Sequence, residues 1–152
     1  MDNGDSIQGG PIGTFTLGSA LVDIMNHVGY DIAIPGNHEF DYGMENYLSL
    51  LDKAEYENIA CNFIDLKTDS TVLKPYTIRE LGDKKIGFVG IATPNTLVSS
   101  NPTNFMNEDG EIIYDFAVHF DLENWDLEHD FWEVHYNVFD LENECEFSTK
   151  EE

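Results

Sequence analysis

One short segment of the chain places three side chains with complementary chemistry next to one another. Asn37 offers an amide oxygen that a hard metal ion accepts as a ligand, His38 follows it directly, and Asp41 comes three residues after His38. A histidine is the usual group for proton transfer near neutral pH, and a carboxylate hydrogen-bonded to its ring fixes the tautomer and raises the pKa. The segment therefore predicts a metal ligand, a proton-transfer group and an orienting partner on one turn.

A second turn, about thirty residues earlier, carries another carboxylate, Asp5. Metal-assisted hydrolysis of a phosphate ester uses two cations about 3.5–4 Å apart. Asp5 fits as a carboxylate shared between them, and Asn37 fits as a neutral ligand of one. His38 would point toward the leaving oxygen, where proton transfer contributes roughly 10²–10⁴-fold. Gly4 and Gly36 would let the backbone approach the cations closely.

Each of these residues also has an ordinary structural explanation. Asp5 and Asn37 follow glycines in turns, where Asp and Asn are common whatever the function. A lone His38 is more often a surface histidine or one with a satisfied hydrogen bond, and Asp41 would make a good N-cap for the helix that follows. Both turns occur together at the separation of a strand, a helix and a strand, which favours the functional interpretation.

The spacing of apolar residues predicts the elements that position these turns. Helical periodicity ahead of Gly29 predicts a helix over about 17–28. The short run 31–34 predicts a buried strand, a second helical stripe predicts a helix over about 43–54, and the run 58–63 predicts the next strand. Alternating strands and helices imply a parallel sheet with right-handed crossovers, at whose carboxyl edge ligands gather.

The pattern changes after residue 75. Two extended runs, 76–81 and 84–91, flank Gly82-Asp83, and this arrangement predicts a β-hairpin. A hairpin added to parallel strands makes the sheet mixed. The expected fold class is therefore α/β with a mixed sheet.

The charge of the 152-residue chain is −23 and is distributed unevenly. Residues 1–106 carry 14 acidic and 6 basic side chains, whereas residues 107–152 carry 16 acidic and 1 basic. We therefore expect two units, a domain over 1–106 and an acidic, aromatic-rich tail over 107–152 whose pattern fits either order or disorder. A field of this sign repels nucleic-acid phosphates and anionic membrane surfaces, so no nucleic-acid partner is expected. The sequence contains no run of 18 apolar residues, so no membrane span is predicted, and its N-terminus lacks the features of a signal peptide.

The two turns resemble motifs of the calcineurin-like metallophosphoesterases, and in detail those of the 5'-nucleotidase and 2',3'-cyclic phosphodiesterase branch. The resemblance is strongest from Asp2 to about Thr96 and ends by about residue 115. Four segments carry it: Asn3-Gly4-Asp5-Ser6-Ile7-Gln8-Gly9, Ile34-Pro35-Gly36-Asn37-His38-Glu39-Phe40-Asp41-Tyr42-Gly43, Ala60-Cys61-Asn62-Phe63 and Lys74-Pro75-Tyr76.

The resemblance implies an αββα sandwich and the hydrolysis of nucleotides or other phosphate esters by in-line attack of a metal-held hydroxide. In the family, the residue matching Asp5 bridges two divalent cations, and the residue matching Asn37 binds one of them. The residue matching His38 pairs with the one matching Asp41. The resemblance does not distinguish Mn, Zn, Mg, Fe and Ca. It also implies export to the periplasm, the cell surface or the medium, while the oligomeric state is left open.

The same resemblance implies an incomplete site. Family members carry an Asp-x-His motif before Asp5 and a Gly-His-x-His motif later, and this sequence contains neither. We therefore expect a partial sandwich that lacks its first strand and its C-terminal part. A site with most ligands absent should bind two dications poorly, so the chain alone is expected to be inactive. The alternative function is a non-catalytic remnant whose acidic tail binds cations or a protein partner.

Overall fold

The computed structural model describes residues 1–117, and the rest of the acidic tail lies outside the described residues. In chain order the elements are α1 (Pro11–Thr16), α2 (Ser19–Val28), β1 (Ile32–Ala33), a first 3₁₀ turn (His38–Phe40), α3 (Met44–Lys53), β2 (Glu57–Asn58), β3 (Ile64–Asp65), β4 (Ser70–Thr71), β5 (Tyr76–Leu81), β6 (Lys84–Val89), α4 (Thr96–Ser99), a second 3₁₀ turn (Pro102–Phe105) and β7 (Tyr114–Asp115). The predicted α/β class is confirmed. None of the helices in this part of the chain has the length and apolarity needed to cross a membrane.

Parallel pairing positions the two turns singled out above. β1 pairs in parallel with β2, and Asp2 pairs in parallel with Ala33 on the other side of β1. The Asp2 N–H donates to the Ile32 carbonyl at 2.9 Å, and the Ile34 N–H donates to the Asp2 carbonyl at 3.1 Å. One residue therefore holds the strand position beside β1, and the turn carrying Asp5 leaves the sheet at the same edge as the turn after β1.

The two long predicted helices are confirmed as α2 and α3. The predicted start of the first one differs because Leu17 and Gly18 take left-handed backbone conformations, with φ of 50° and 84°. This break separates α2 from α1, a six-residue helix with a proline in its first turn. Sequence periodicity did not predict α1, since six residues are too few to show a helical stripe.

The predicted hairpin is confirmed as β5 and β6, with Tyr76 opposite Val89 and Leu81 opposite Lys84. The predicted strand 58–63 is shorter than expected. Within residues 1–117 the strands form three short sheets, and the hairpin is one of them. The expected mixed sheet is therefore not observed in these residues, because β5 and β6 pair with each other and not with β1 or β2. The hairpin approaches the parallel pair through the Cys61 N–H, which donates to the Gly90 carbonyl at 2.8 Å.

A buried asparagine lies within the predicted strand 58–63, beyond the end of β2. Asn62 is 3% exposed, and its amide nitrogen donates to the carbonyls of Ala92 and Phe116, each at 2.7 Å. Its side-chain oxygen accepts from the Ala92 N–H at 2.9 Å. The side chain thus joins three separate chain segments.

The core is built from aromatic rings. Phe40, Phe63, Phe105 and Phe116 are all 0% exposed, and the rings of Phe63 and Phe116 stack with centroids 4.7 Å apart. Phe40 lies in the first 3₁₀ turn, so the core directly supports the segment that carries the candidate site. Phe116 belongs to the range that the charge pattern assigned to the tail, yet its ring is part of the packed core. The predicted boundary at residue 107 stays a prediction.

Candidate active site

The turn that carries Asp5 and the turn after β1 are in contact at two glycines. Gly4 has φ of 93°, and a Cβ on it would collide with the backbone nitrogen of Gly36. A Cβ on Gly36 would in turn collide with the carboxylate of Asp5. The structure therefore gives these glycines a role in the contact between the two turns.

The Asp5 carboxylate lies against the segment that contains Asn37 and His38. Its Oδ1 accepts a hydrogen bond from the His38 N–H at 2.9 Å, while Asp5 itself has a left-handed backbone with φ of 59°. Asp5 is exposed, and Asn37 and His38 are half-buried. The residues predicted from two distant turns are thus neighbours at one edge of the parallel strands. Their roles as ligands and catalytic groups stay predictions.

His38 and Asp41 form a close pair. The ring Nδ1 of His38 lies 2.6 Å from Oδ2 of Asp41. This hydrogen bond raises the pKa of His38, partial burial opposes the rise, and the charges of Asp41, Asp5 and Glu39 add to it. The His38 side chain is 44% exposed, so the ring stays accessible. Of the two explanations for Asp41, the N-cap is wrong, because Gly43 holds the N-cap position of α3.

Two residues of the segment 96–105 form hydrogen bonds to the turn that carries this pair. The hydroxyl of Ser100, a residue that is 6% exposed, donates to Oδ1 of Asp41 at 3.4 Å. The side-chain amide of Asn104 donates to the Phe40 carbonyl at 2.6 Å. Sequence reasoning missed both residues, because nothing local in the sequence links them to a turn about sixty positions earlier.

Glu39 is the functional-site residue that sequence reasoning overlooked most clearly. It is 6% exposed, and its Oε2 accepts from the N–H groups of Asp5 and Gly36, both at 2.7 Å. Its Oε1 accepts from the Ser6 N–H at 2.8 Å. Burial raises the pKa of the Glu39 carboxyl, the three backbone hydrogen bonds lower it, and the charge of Asp5 raises it. A glutamate beside a histidine gives no local sign of burial, so the sequence offered no signal for this role.

The donor set of the described residues falls short of what two divalent cations require. Within residues 1–117 no group of three or more His, Cys, Asp and Glu side chains comes together as a metal site. Asp5 and Asn37 offer carboxylate and amide oxygens, and Oδ1 of Asp5 already accepts the His38 N–H. Dinuclear hydrolytic sites hold both ions in fixed coordination, which two side chains do not provide. The described residues therefore do not fit a complete two-metal site.

Comparison with known proteins gives a consistent set of relatives. No family model matches the chain. A 5'-nucleotidase from Bos taurus is 36% identical over 116 residues, which cover 72% of this chain and 20% of the relative. A 2',3'-cyclic-nucleotide 2'-phosphodiesterase/3'-nucleotidase from Salmonella typhimurium is 33% identical over 115 residues, covering 64% of this chain and 18% of the relative.

A solved structure agrees with these relatives. The NAD nucleotidase of Haemophilus influenzae superposes with a TM-score of 0.61 at 31% identity, covering 76% of this chain and 20% of that protein. The matched segment therefore spans about a fifth of the length of each of these three proteins.

Proposed function

Because the chain belongs to the calcineurin-like metallophosphoesterases, in the branch of the 5'-nucleotidases and 2',3'-cyclic phosphodiesterases, we propose that residues 1–117 supply one part of the active site of a nucleotide phosphoesterase. The reaction is the hydrolysis of a phosphate ester of a nucleotide. The observation that carries this proposal is the 2.6 Å pair of His38 and Asp41 beside the Asp5 carboxylate.

The proton-transfer half of the reaction follows from the pair. Asp41 holds Nδ1 of His38, so the tautomer is fixed and Nε2 is the ring nitrogen that faces a reactant. The raised pKa of His38 keeps the ring protonated to higher pH than an isolated histidine. In the forward direction Nε2 gives its proton to the nucleoside oxygen as the bond to phosphorus breaks, and Asp41 stabilises the charged ring beforehand.

The metal-binding half is less complete. The family is metal-dependent, and we assign Asp5 and Asn37 as ligands because of their chemistry and position. Ligand oxygens beyond these two must come from outside residues 1–117. We therefore expect no turnover by this chain alone. Export, as the resemblance implies, is part of the same proposal.

Manganese titration of the full ¹⁵N-labelled chain tests the ligand assignment. Paramagnetic Mn²⁺ broadens the NMR signals of nearby amides, so weak binding at Asp5 and Asn37 should broaden residues around both turns. Asp5→Asn should abolish this local broadening, whereas Asp52→Asn, at an exposed aspartate of α3, should leave it unchanged.

The acidic tail provides the competing outcome. Its 16 acidic side chains in residues 107–152 attract Mn²⁺ without any active site. Broadening confined to that range, with none at Asp5 and Asn37, would favour the cation-binding remnant over the phosphoesterase part. A parallel assay of nucleotide hydrolysis with Mn²⁺ should detect no activity in the purified chain. Activity that His38→Ala removes would show that two ligands suffice.

A further inference from the structure

A single buried carboxylate receives backbone N–H groups from both turns of the candidate site. Oε2 of Glu39 accepts from Asp5 in the first turn and from Gly36 in the second, while Oε1 accepts from Ser6. The three donor–acceptor distances, 2.7, 2.8 and 2.7 Å, are at the short end for N–H···O bonds. The Glu39 side chain is 6% exposed, so its carboxylate depends on these donors for compensation of its charge.

Each turn supplies a carboxylate that accepts backbone N–H groups of the other turn. Glu39, on the second turn, accepts N–H groups of the first turn, and Asp5, on the first turn, accepts the His38 N–H of the second. Neither set of bonds survives separation of the turns, so each carboxylate depends on the contact that the other helps to make. A buried carboxylate that lost its N–H donors would carry a large desolvation cost. The arrangement therefore resists separation of the turns.

Burial separates Glu39 from a cation at the edge of the strands. Its side chain is 6% exposed and accepts three N–H groups, whereas Asp5 is exposed. A cation at the edge of the strands would therefore bind Asp5 and leave Glu39 in place. Glu39 thus contacts both the backbone of Asp5 and that of Gly36, the residue that precedes Asn37.

We propose that Glu39 is the positioning residue that holds the two turns of the site together, so that Asp5, Asn37 and His38 face one common opening. This inference rests on the proposed function, since it assigns Glu39 to the same site. It requires the length and the charge of glutamate. Glutamine has one acceptor oxygen and would turn an NH₂ group toward an N–H donor, and aspartate is one methylene too short to reach both turns.

The wild-type chain provides the first test, which needs no variant. Scalar coupling across hydrogen bonds, measured by NMR, should link the amide nitrogens of Asp5, Ser6 and Gly36 to the side-chain carboxyl carbon of Glu39. Absence of all three couplings would overturn the proposal.

Variants provide the second test. In Glu39→Gln the amides of Asp5, Ser6 and Gly36 should exchange with solvent at least about tenfold faster than in wild type, because a hydrogen bond to a charged group is lost at each. Glu39→Asp should restore the charge yet free the amides of one turn. The control is Glu45→Gln at an exposed glutamate in the first turn of α3, which should leave all three amides unchanged.

Manganese affinity distinguishes a role of Glu39 in positioning the site from a role in the stability of the fold alone. In Glu39→Gln the Mn²⁺ affinity reported by broadening at Asp5 and Asn37 should fall about tenfold while the far-ultraviolet circular dichroism stays that of wild type. Equal Mn²⁺ affinity in wild type and Glu39→Gln would overturn the positioning role and leave the proposed function intact. Absence of Mn²⁺ broadening at Asp5 in wild type, with the couplings to Glu39 present, would overturn the proposed function and support Glu39 as the link between the turns.

Discussion

Replacing Phe116 with leucine tests whether the start of the acidic tail belongs to the folded core. Phe116 is 0% exposed and stacks on Phe63 with centroids 4.7 Å apart and rings 6° from parallel. The edges of Phe40 and Phe105 meet it at centroid distances of 5.3 and 5.4 Å. Leucine keeps the site apolar and retains much of the volume, so the variant removes the ring interactions with little other change.

The expected loss follows from these contacts. An aromatic pair contributes about 0.5–1.5 kcal/mol beyond the area that it buries, and the unfilled volume adds to the cost. We therefore expect Phe116→Leu to lower the free energy of unfolding by about 1–2 kcal/mol, which corresponds to a fall in Tm of roughly 4–10 °C.

Urea unfolding followed by circular dichroism measures this change. Phe15→Leu is the matched control, because Phe15 is 87% exposed and its replacement should change the free energy of unfolding by less than about 0.5 kcal/mol. Equal unfolding midpoints for the two variants would refute the packing of Phe116. The boundary at residue 107 that the charge pattern predicted would then be the better description.

Two further substitutions test the contacts of the site. Asp41→Asn removes the hydrogen bond that raises the pKa of His38, so NMR titration of the ring should give a lower pKa than in wild type, and an unchanged pKa would contradict the pairing. Since the folded pKa of His38 lies above the unfolded one, the pair stabilises the fold below the unfolded pKa, and this contribution is lost as the pH rises through the folded pKa. The wild-type chain should therefore lose more stability over that pH range than Asp41→Asn does. Gly36→Ala places a Cβ against the Asp5 carboxylate and should lower the free energy of unfolding, measured in urea, by about 1–3 kcal/mol. Gly87→Ala is the control, because a Cβ there has open space around it, and it should lower the free energy of unfolding by less. Equal losses of unfolding free energy in the two variants would argue against the contact between Gly36 and Asp5.

The parts of the fold that sequence predicted are those set by local repetition. The apolar stripes of α2 and α3 and the turn at Gly82-Asp83 repeat or stop within a few residues, so the pattern alone identifies them. The break at Leu17 and the short length of β2 were missed. The bonds from Asn62 to Ala92 and Phe116, which lie 30 and 54 positions away, also leave no trace in the local pattern.

The site divides in the same way. Asn37, His38 and Asp41 lie within one turn, and the parallel-strand rule placed Asp5 beside them without coordinates. Glu39 was passed over because its function depends on burial. Burial of a carboxylate is a tertiary property, and only the positions of the N–H groups around it reveal that its charge is compensated.

The two halves of the site are unequally complete within residues 1–117. The proposed proton-transfer half has its histidine, its orienting carboxylate and, through Ser100, a further contact to that carboxylate. The proposed metal-binding half has the exposed carboxylate of Asp5 and the amide of Asn37, and within residues 1–117 no cluster of three metal-binding side chains forms. The hydrogen bonds that Glu39 and Asp5 accept join the two turns through protein groups alone. Because Asp41 is hydrogen-bonded to the His38 ring, this ring should titrate as a paired histidine in metal-free solution. Tight metal binding should require ligands from outside the described residues.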